Sequence, residues 1–285
     1  MGRACGGRYG GAVVPASSPD ALDSLDARIR SALVAEGRVT HALAYGSRTQ
    51  PDAGGGPQAD RWSDLEYWAL VREGEALDPF ALLGAVTPVA LAVVNPFGTP
   101  NVVMPDLTRV ELHVVPADRL AEVGTWPNAG GVPERMLVKD EDGRLRALLT
   151  RWAASPPFAQ TLPPPQVEYD GVLGSLVFGS AVLARGEEVR AWEQMFWVRT
   201  GLLRLARTAH GAPQPPAASR WAERDLPGPW LQALGTTARG DAEAYLEAVR
   251  LATALAHALS LDPRAPVLSA LRERLGLLHG AGESP

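Results

Sequence analysis

The chain has 285 residues, 46% of them hydrophobic, which is enough for one large or two ordinary domains with a sizeable core. A formal net charge of −5 argues against a protein whose main task is gripping nucleic acid through a basic surface. The single cysteine, Cys5, excludes a disulfide framework and a cysteine-based zinc site.

Residues 1–17 carry Arg3 and Arg8 but no apolar signal-peptide core, and read as a disordered tail. Ser18-Pro19-Asp20 then opens a helix, with a capping hydroxyl, proline at the first turn and an acid near the positive end. Leu22, Leu25, Ile29 and Leu33 give that helix one buried face, and Gly37 can end it. Val39 to Tyr45 reads as a strand and Leu65 to Val71 as a second. Asp78-Pro79 starts a short helix with Phe80, Leu82 and Leu83 packing. Val89 to Val94 is expected to be a buried strand, Asn95 to Thr99 a turn, and Asn101 to Met104 the returning strand. Thr108 to Val115 alternates cleanly, with Arg109, Glu111 and His113 on one face and Val110, Leu112 and Val114 on the other. A short helix over Arg119 to Val123, a strand over Met136 to Lys139 and a turn at Asp140-Glu141-Asp142-Gly143 follow. That turn lacks the alternating oxygen ligands of a calcium loop.

Proline clusters at 156–157 and 163–165 mark a stiff linker over 155–166. Beyond it the periodicity is helical in Val167 to Arg185, Glu187 to Ala209, Ala242 to Leu261 and Val267 to Leu278, with a shorter piece around Trp230 to Leu234. The expected fold is α+β: a mixed sheet with helices over 18–154, then an all-α bundle over 167–285. No apolar run approaches a membrane-spanning length; the longest, Ala85 to Val94, is interrupted by Thr87 and Pro88. A cytoplasmic protein with no membrane partner is the expectation.

The chemistry-bearing stretch lies between the first two strands. The first ends on Tyr45-Gly46-Ser47, and the second opens with Asp64-Leu65-Glu66. Alternation on a strand puts Asp64 and Glu66 on one face. Two neighbouring carboxylates suit Mg²⁺, which binds through a few carboxylates plus substrate phosphates. Gly46 permits close backbone approach to a ligand, and Ser47 offers a hydroxyl and an N–H to a phosphate. This resembles the signature of the polymerase-β-type nucleotidyltransferase superfamily. On the residues alone, Asp-x-Glu also reads as a solvated strand face and Gly-Ser as a turn. A third carboxylate, Glu111, lies on another strand, where it is either a surface group or part of the same cleft.

The resemblance extends further. Asn95 to Thr99, Asp106-Leu107, Arg109 to His113, Gly131 to Val138, Leu183 to Glu187 and Thr236 to Arg239 are similar to segments of the larger lincosamide nucleotidyltransferases, which have a helical C-terminal half. The likeness runs from about Val39 to Leu278. It implies transfer of AMP from ATP to a hydroxyl of a small molecule, with two Mg²⁺ ions, and with the helical half walling the acceptor. It implies Asp64, Glu66 and Glu111 as metal ligands, Glu111 also as general base, and Gly46 and Ser47 as the phosphate-binding turn. The chain departs from the family in the long 48–63 loop, with its PDAGGGPQ insertion, and in having Arg48 near where a lysine is expected; Arg48 is taken to supply that charge to the nucleotide.

Arg185 is read either as a donor to the triphosphate or as a cation at a helix C-terminus, and His113 as an acceptor-side group or a structural histidine. Trp192, Phe196 and Trp197 read as core packing or a subunit interface, and a homodimer is expected. His41, His210, His257 and His279 show no metal spacing with one another. Two rivals stand beside this reading. One is a nucleotidyltransferase acting on an aminoglycoside or a protein; the other is a non-catalytic nucleotide-binding protein of the same fold.

Overall fold

The computed structural model describes residues 19–51, 59–60, 62–128, 130–156, 161–215 and 217–282. The expected tail, most of the PDAGGGPQ insertion and part of the linker lie outside them. The fold is α+β, and the chain divides into two compact units, Met1–Phe158 and Ala159–Pro285.

The first unit is built on a six-stranded sheet in the order β3-β4-β5-β2-β1-β6. Its strands are β1 (Val39–Tyr45), β2 (Leu65–Val71), β3 (Leu91–Val94), β4 (Pro100–Val103), β5 (Arg109–Pro116) and β6 (Leu137–Asp140). β2 and β5 run parallel and the other neighbours antiparallel, so the sheet is mixed. Helix α1 (Pro19–Ala35) lays Leu22, Leu25, Ile29 and Leu33 on one face, against Ala42, Leu65, Tyr67 and Leu112. Helix α2 (Pro79–Val86) joins the same layer; Asp78 caps it, its carboxylate accepting the Phe80 N–H. A 3₁₀ segment (Ala117–Thr125), the short α3 (Pro133–Met136) and α4 (Arg144–Ala154) cover Leu43, Leu70 and Val115 on the other face.

Two features of this unit differ from the sequence reading. β3 is not buried: all four of its residues are exposed. It is an edge strand paired on one side only, and an unbroken apolar run does not by itself distinguish an edge from a buried centre. Helix α4 was not expected. Its apolar side is short, with Leu145, Leu149 and Trp152 buried between arginines.

The second unit is all helical: α5 (Pro165–Ala184), α6 (Glu188–Ala209), α7 (Ala222–Asp225), α8 (Gly228–Thr236), α9 (Ala242–Ala258) and α10 (Ala265–Gly282). Its core joins Tyr169, Leu173 and Leu176 of α5, Met195, Val198 and Leu202 of α6, Tyr245 and Val249 of α9, and Leu271 and Leu275 of α10. Contrary to the sequence expectation, α5 is long and apolar enough, by length and composition, to cross a membrane. It packs against α6, α9 and α10 through Tyr169, Val172, Leu173, Leu176 and Val182, while Val167, Val177 and Phe178 are exposed. The buried side of α6 is Ala191, Met195, Val198, Leu202 and Leu205. Trp192, Phe196 and Trp197 lie on the outside, each more than half exposed, so they are not core residues of this chain.

Candidate active site

Cross-strand register gathers the polar residues. Tyr45 pairs with Glu66, Glu66 with Glu111, Glu111 with Asn101, and Asn101 with Val93. Directly paired residues share a sheet face, so these five form one row across β1, β2, β5, β4 and β3. Asp64 and Arg109 each precede a row member by two residues and therefore lie on that face. The carboxylates expected from the sequence, Asp64, Glu66 and Glu111, thus sit on one side of neighbouring parallel strands.

Gly46 lies directly over Glu66. Its φ of 81° is in the region that favours glycine, and a Cβ there would collide with the Glu66 carboxylate. The chain then turns through Ser47–Thr49, where the Thr49 hydroxyl donates to Gly46 O at 2.8 Å. This turn is pinned from the side: Val132 N–H donates to Thr49 O at 2.8 Å, and Arg135 to Gln50 O at 2.7 Å. Arg48 ion-pairs with Asp23 of α1, on the side of the sheet opposite the carboxylates. Arg185 belongs to the helical unit, at the C-cap of α5, with its N–H bonded to Val182 O. Its assignment to the nucleotide rests on the resemblance alone.

Four further groups surround the carboxylates; the sequence put Arg109 on the face of Glu111 and Tyr45 beside Gly46, but gave none of the four a role. Arg109 pairs with Asp64 and, at 3.5 Å, with Glu111. The Asp64 hydrogen bond raises the Arg109 pKa above its ordinary value, with the charges of Glu111 and Glu66 adding to it. Tyr45 stands amid the three carboxylates. Burial, then the charges of Glu66, Glu111 and Asp64, push its phenol well above the ordinary value, so it stays protonated. Asn101 is buried; its amide donates to Thr99 O at 3.1 Å, while its Oδ1 has no hydrogen-bond partner. Trp126 completes an aromatic patch in the next row. Trp68 stacks on His113 at 5.0 Å between centroids, Trp126 meets Trp68 edge-on at 4.7 Å, and Tyr45 lies 6.1 Å from His113. Burial lowers the His113 pKa, which keeps the ring neutral near pH 7. Alternation puts Trp68 on the face of Glu66, as it puts His113 on that of Glu111; the contribution of Trp126 needed the tertiary fold.

The donor set, hard carboxylate oxygens on a partly open face, suits Mg²⁺ chemically. Its spacing is open. Among the described residues, one group brings three metal-ligand atoms within 4.8 Å of one another, and that group is His41, Asp140 and Asp142. His41 Nε2 lies 3.0 Å from Asp142 Oδ1 and 3.5 Å from Asp140 Oδ1. This cluster could hold a metal, yet its carboxylates already work as caps. Asp140 accepts N–H groups of Gly143 and Arg146, and Asp142 accepts that of Arg144 at the start of α4. His41 and Asp142 are 101 residues apart, so no local spacing could have joined them.

A separate cleft of about 790 Å³ lies within the helical unit, lined by Val189, Trp192, Arg239, Asp241 and Glu243. None of the expected site residues lines it.

No family model matches the chain, and no curated protein matches it. Among solved structures, it is similar to an aminoglycoside 6-adenyltransferase from Bacillus subtilis, with 10% identity over 92% of this chain and 99% of that one, at a TM-score of 0.37. It is also similar to a nucleotidyltransferase-like protein from Exiguobacterium sibiricum 255-15, with 15% identity over 84% of this chain and 74% of that one, at a TM-score of 0.34. Likeness at this level identifies no family and assigns no residue.

Proposed function

We propose that this protein is a metal-dependent nucleotidyltransferase that moves AMP from ATP to a hydroxyl of a small molecule. The observation that carries the reading is the row of carboxylates, Glu66 beside Glu111 with Asp64 adjoining, under a glycine whose missing side chain leaves room for Glu66. Asp64, Glu66 and Glu111 would hold Mg²⁺. When bound, the metal supplies charge neutralisation along the triphosphate and makes the acceptor hydroxyl easier to deprotonate.

The chain's own residues do the rest. Glu111 takes the proton from the acceptor hydroxyl as its oxygen bonds to the α-phosphorus, and the bond to pyrophosphate breaks. Gly46 and Ser47 bring backbone and hydroxyl to the phosphates. The gain comes from holding the attacking oxygen and the α-phosphate in line, which the rigid strands β2 and β5 favour. The patch of Trp68, His113 and Trp126 offers an apolar wall next to the carboxylates. It supports an acceptor with an apolar portion, such as a lincosamide, over a polycationic aminoglycoside. The exposed Trp192, Phe196 and Trp197 of α6 support a second copy of the chain as a partner.

The test is mass spectrometry of reactions containing Mg²⁺, each nucleoside triphosphate, and a panel of lincosamides, aminoglycosides and proteins. The expected result is a lincosamide carrying one added AMP, with the rate lowered roughly 10²- to 10⁴-fold by Glu111→Gln. Addition to another acceptor would keep the reaction and discard the lincosamide. No addition to any acceptor, with nucleotide binding intact, would favour the non-catalytic reading.

A further inference from the structure

The carboxylate row contains a cation of its own. Arg109 is the first residue of β5, two positions before Glu111, and its Nη2 bridges Asp64 and Glu111. Its side chain is 52% exposed, whereas those of Asp64 and Glu111 are 25% and 12% exposed. Its partner across the β4 ladder is Val103, whose side chain is apolar. The guanidinium is held by the carboxylates, and with half of the side chain already exposed it has a path toward water. It also lies among oxygens whose present spacing is wider than that of a closed metal site.

We propose that Arg109 is an exchangeable counter-charge: it neutralises Asp64 and Glu111 until a divalent cation claims them, and then turns its donor fork to the phosphates that arrive with the nucleotide. This rests on the reading of Asp64, Glu66 and Glu111 as metal ligands. Arginine suits both states, because the same planar donors fit carboxylate and phosphate. The device keeps a crowded set of like charges compensated before substrate binds, and it sets metal and arginine in competition for the same oxygens.

Competition gives substitution at this position two effects of opposite sign. With Mn²⁺ as the probe and the full chain, Arg109→Gln should bind metal alone roughly two- to fivefold more tightly, as expected when a half-exposed pairing is removed. The same variant should bind Mn²⁺ with a non-hydrolysable ATP analogue more weakly by a similar factor. Arg109→Lys, which keeps the charge but not the fork, should lie between on both counts. Electron paramagnetic resonance of free Mn²⁺ reads the first equilibrium, calorimetry the second, and the melting temperature shows that each variant is folded.

Unchanged or weaker Mn²⁺ binding by Arg109→Gln, while Asp64→Asn abolishes it, would overturn the inference and leave the metal site standing. If Asp64→Asn binds Mn²⁺ as well as the parent does, the underlying reading fails as well.

Discussion

Two arginines, one in each unit, show how differently the same side chain is used. Arg207 of α6 is fully buried, and its guanidinium is surrounded by groups that cannot leave. It donates to Pro213 O at 2.7 Å, Ala218 O at 2.9 Å and Arg220 O, and pairs with Asp225 at 2.8 Å. It ties Pro213, Ala218 and Arg220 to the helical core. Arg109 of β5 is half exposed and held by Asp64 and Glu111, the carboxylates proposed to serve substrate and metal. A charge satisfied by backbone carbonyls in a dry site is structural. One satisfied by carboxylates at an open sheet face is replaceable.

The comparison would break first at Arg207. Arg207→Met should destabilise the protein by roughly 3–5 kcal/mol, since it leaves buried carbonyls and Asp225 without their shared partner. A urea titration reads this directly. Arg109→Gln in the same assay should stay within about 1 kcal/mol of the parent, as expected for an exposed pair. Equal losses at the two positions would erase the distinction.

A smaller effect is expected at Gly46. Gly46→Ala forces a side chain into a positive φ and into the Glu66 carboxylate, so it should cost about 1–3 kcal/mol and also weaken nucleotide binding. Loss of stability with nucleotide binding intact would separate the turn from the site.

The smallest effect concerns the cap cluster. The His41 hydrogen bond and then the Arg144 backbone N–H hold the Asp142 carboxyl at about 2, below its ordinary value of 3.8. A carboxyl lowered in the folded state contributes stability that is complete above about pH 4 and is lost as pH falls toward 2. Acid unfolding of Asp142→Asn should therefore show a shallower dependence between pH 4 and 2 than the parent. A steeper one would mean that Asp142 does not stabilise the start of α4.

Much of this architecture was legible in the sequence where local chemistry is decisive. Strands β1 and β2 follow from apolar runs bounded by turn residues, and α2 begins where Asp78-Pro79 places it. The face shared by Asp64 and Glu66 follows from alternation. What was not legible depends on register or on distant partners. The row that brings Asn101 beside Glu111 and Tyr45 beside Glu66 exists only once the strands are paired. The pairing of Arg109 with Asp64 spans 45 residues and a parallel crossover. β3 was misread because its apolar run looks the same at an edge as at a centre. The exposed Trp192, Phe196 and Trp197 were read in part as core because their spacing fits a helical stripe, and only the packing of α6 shows that Met195 and Val198 face inward instead.

The central claim is that Asp64, Glu66 and Glu111 form a metal-dependent nucleotide site, and calorimetric titration of ATP tests it most directly. The parent and Asp64→Asn would each be titrated with and without Mg²⁺. The expected result is binding by the parent that requires Mg²⁺, with Asp64→Asn folded but weak in both conditions. Equal, Mg²⁺-independent binding by the two proteins would contradict the account.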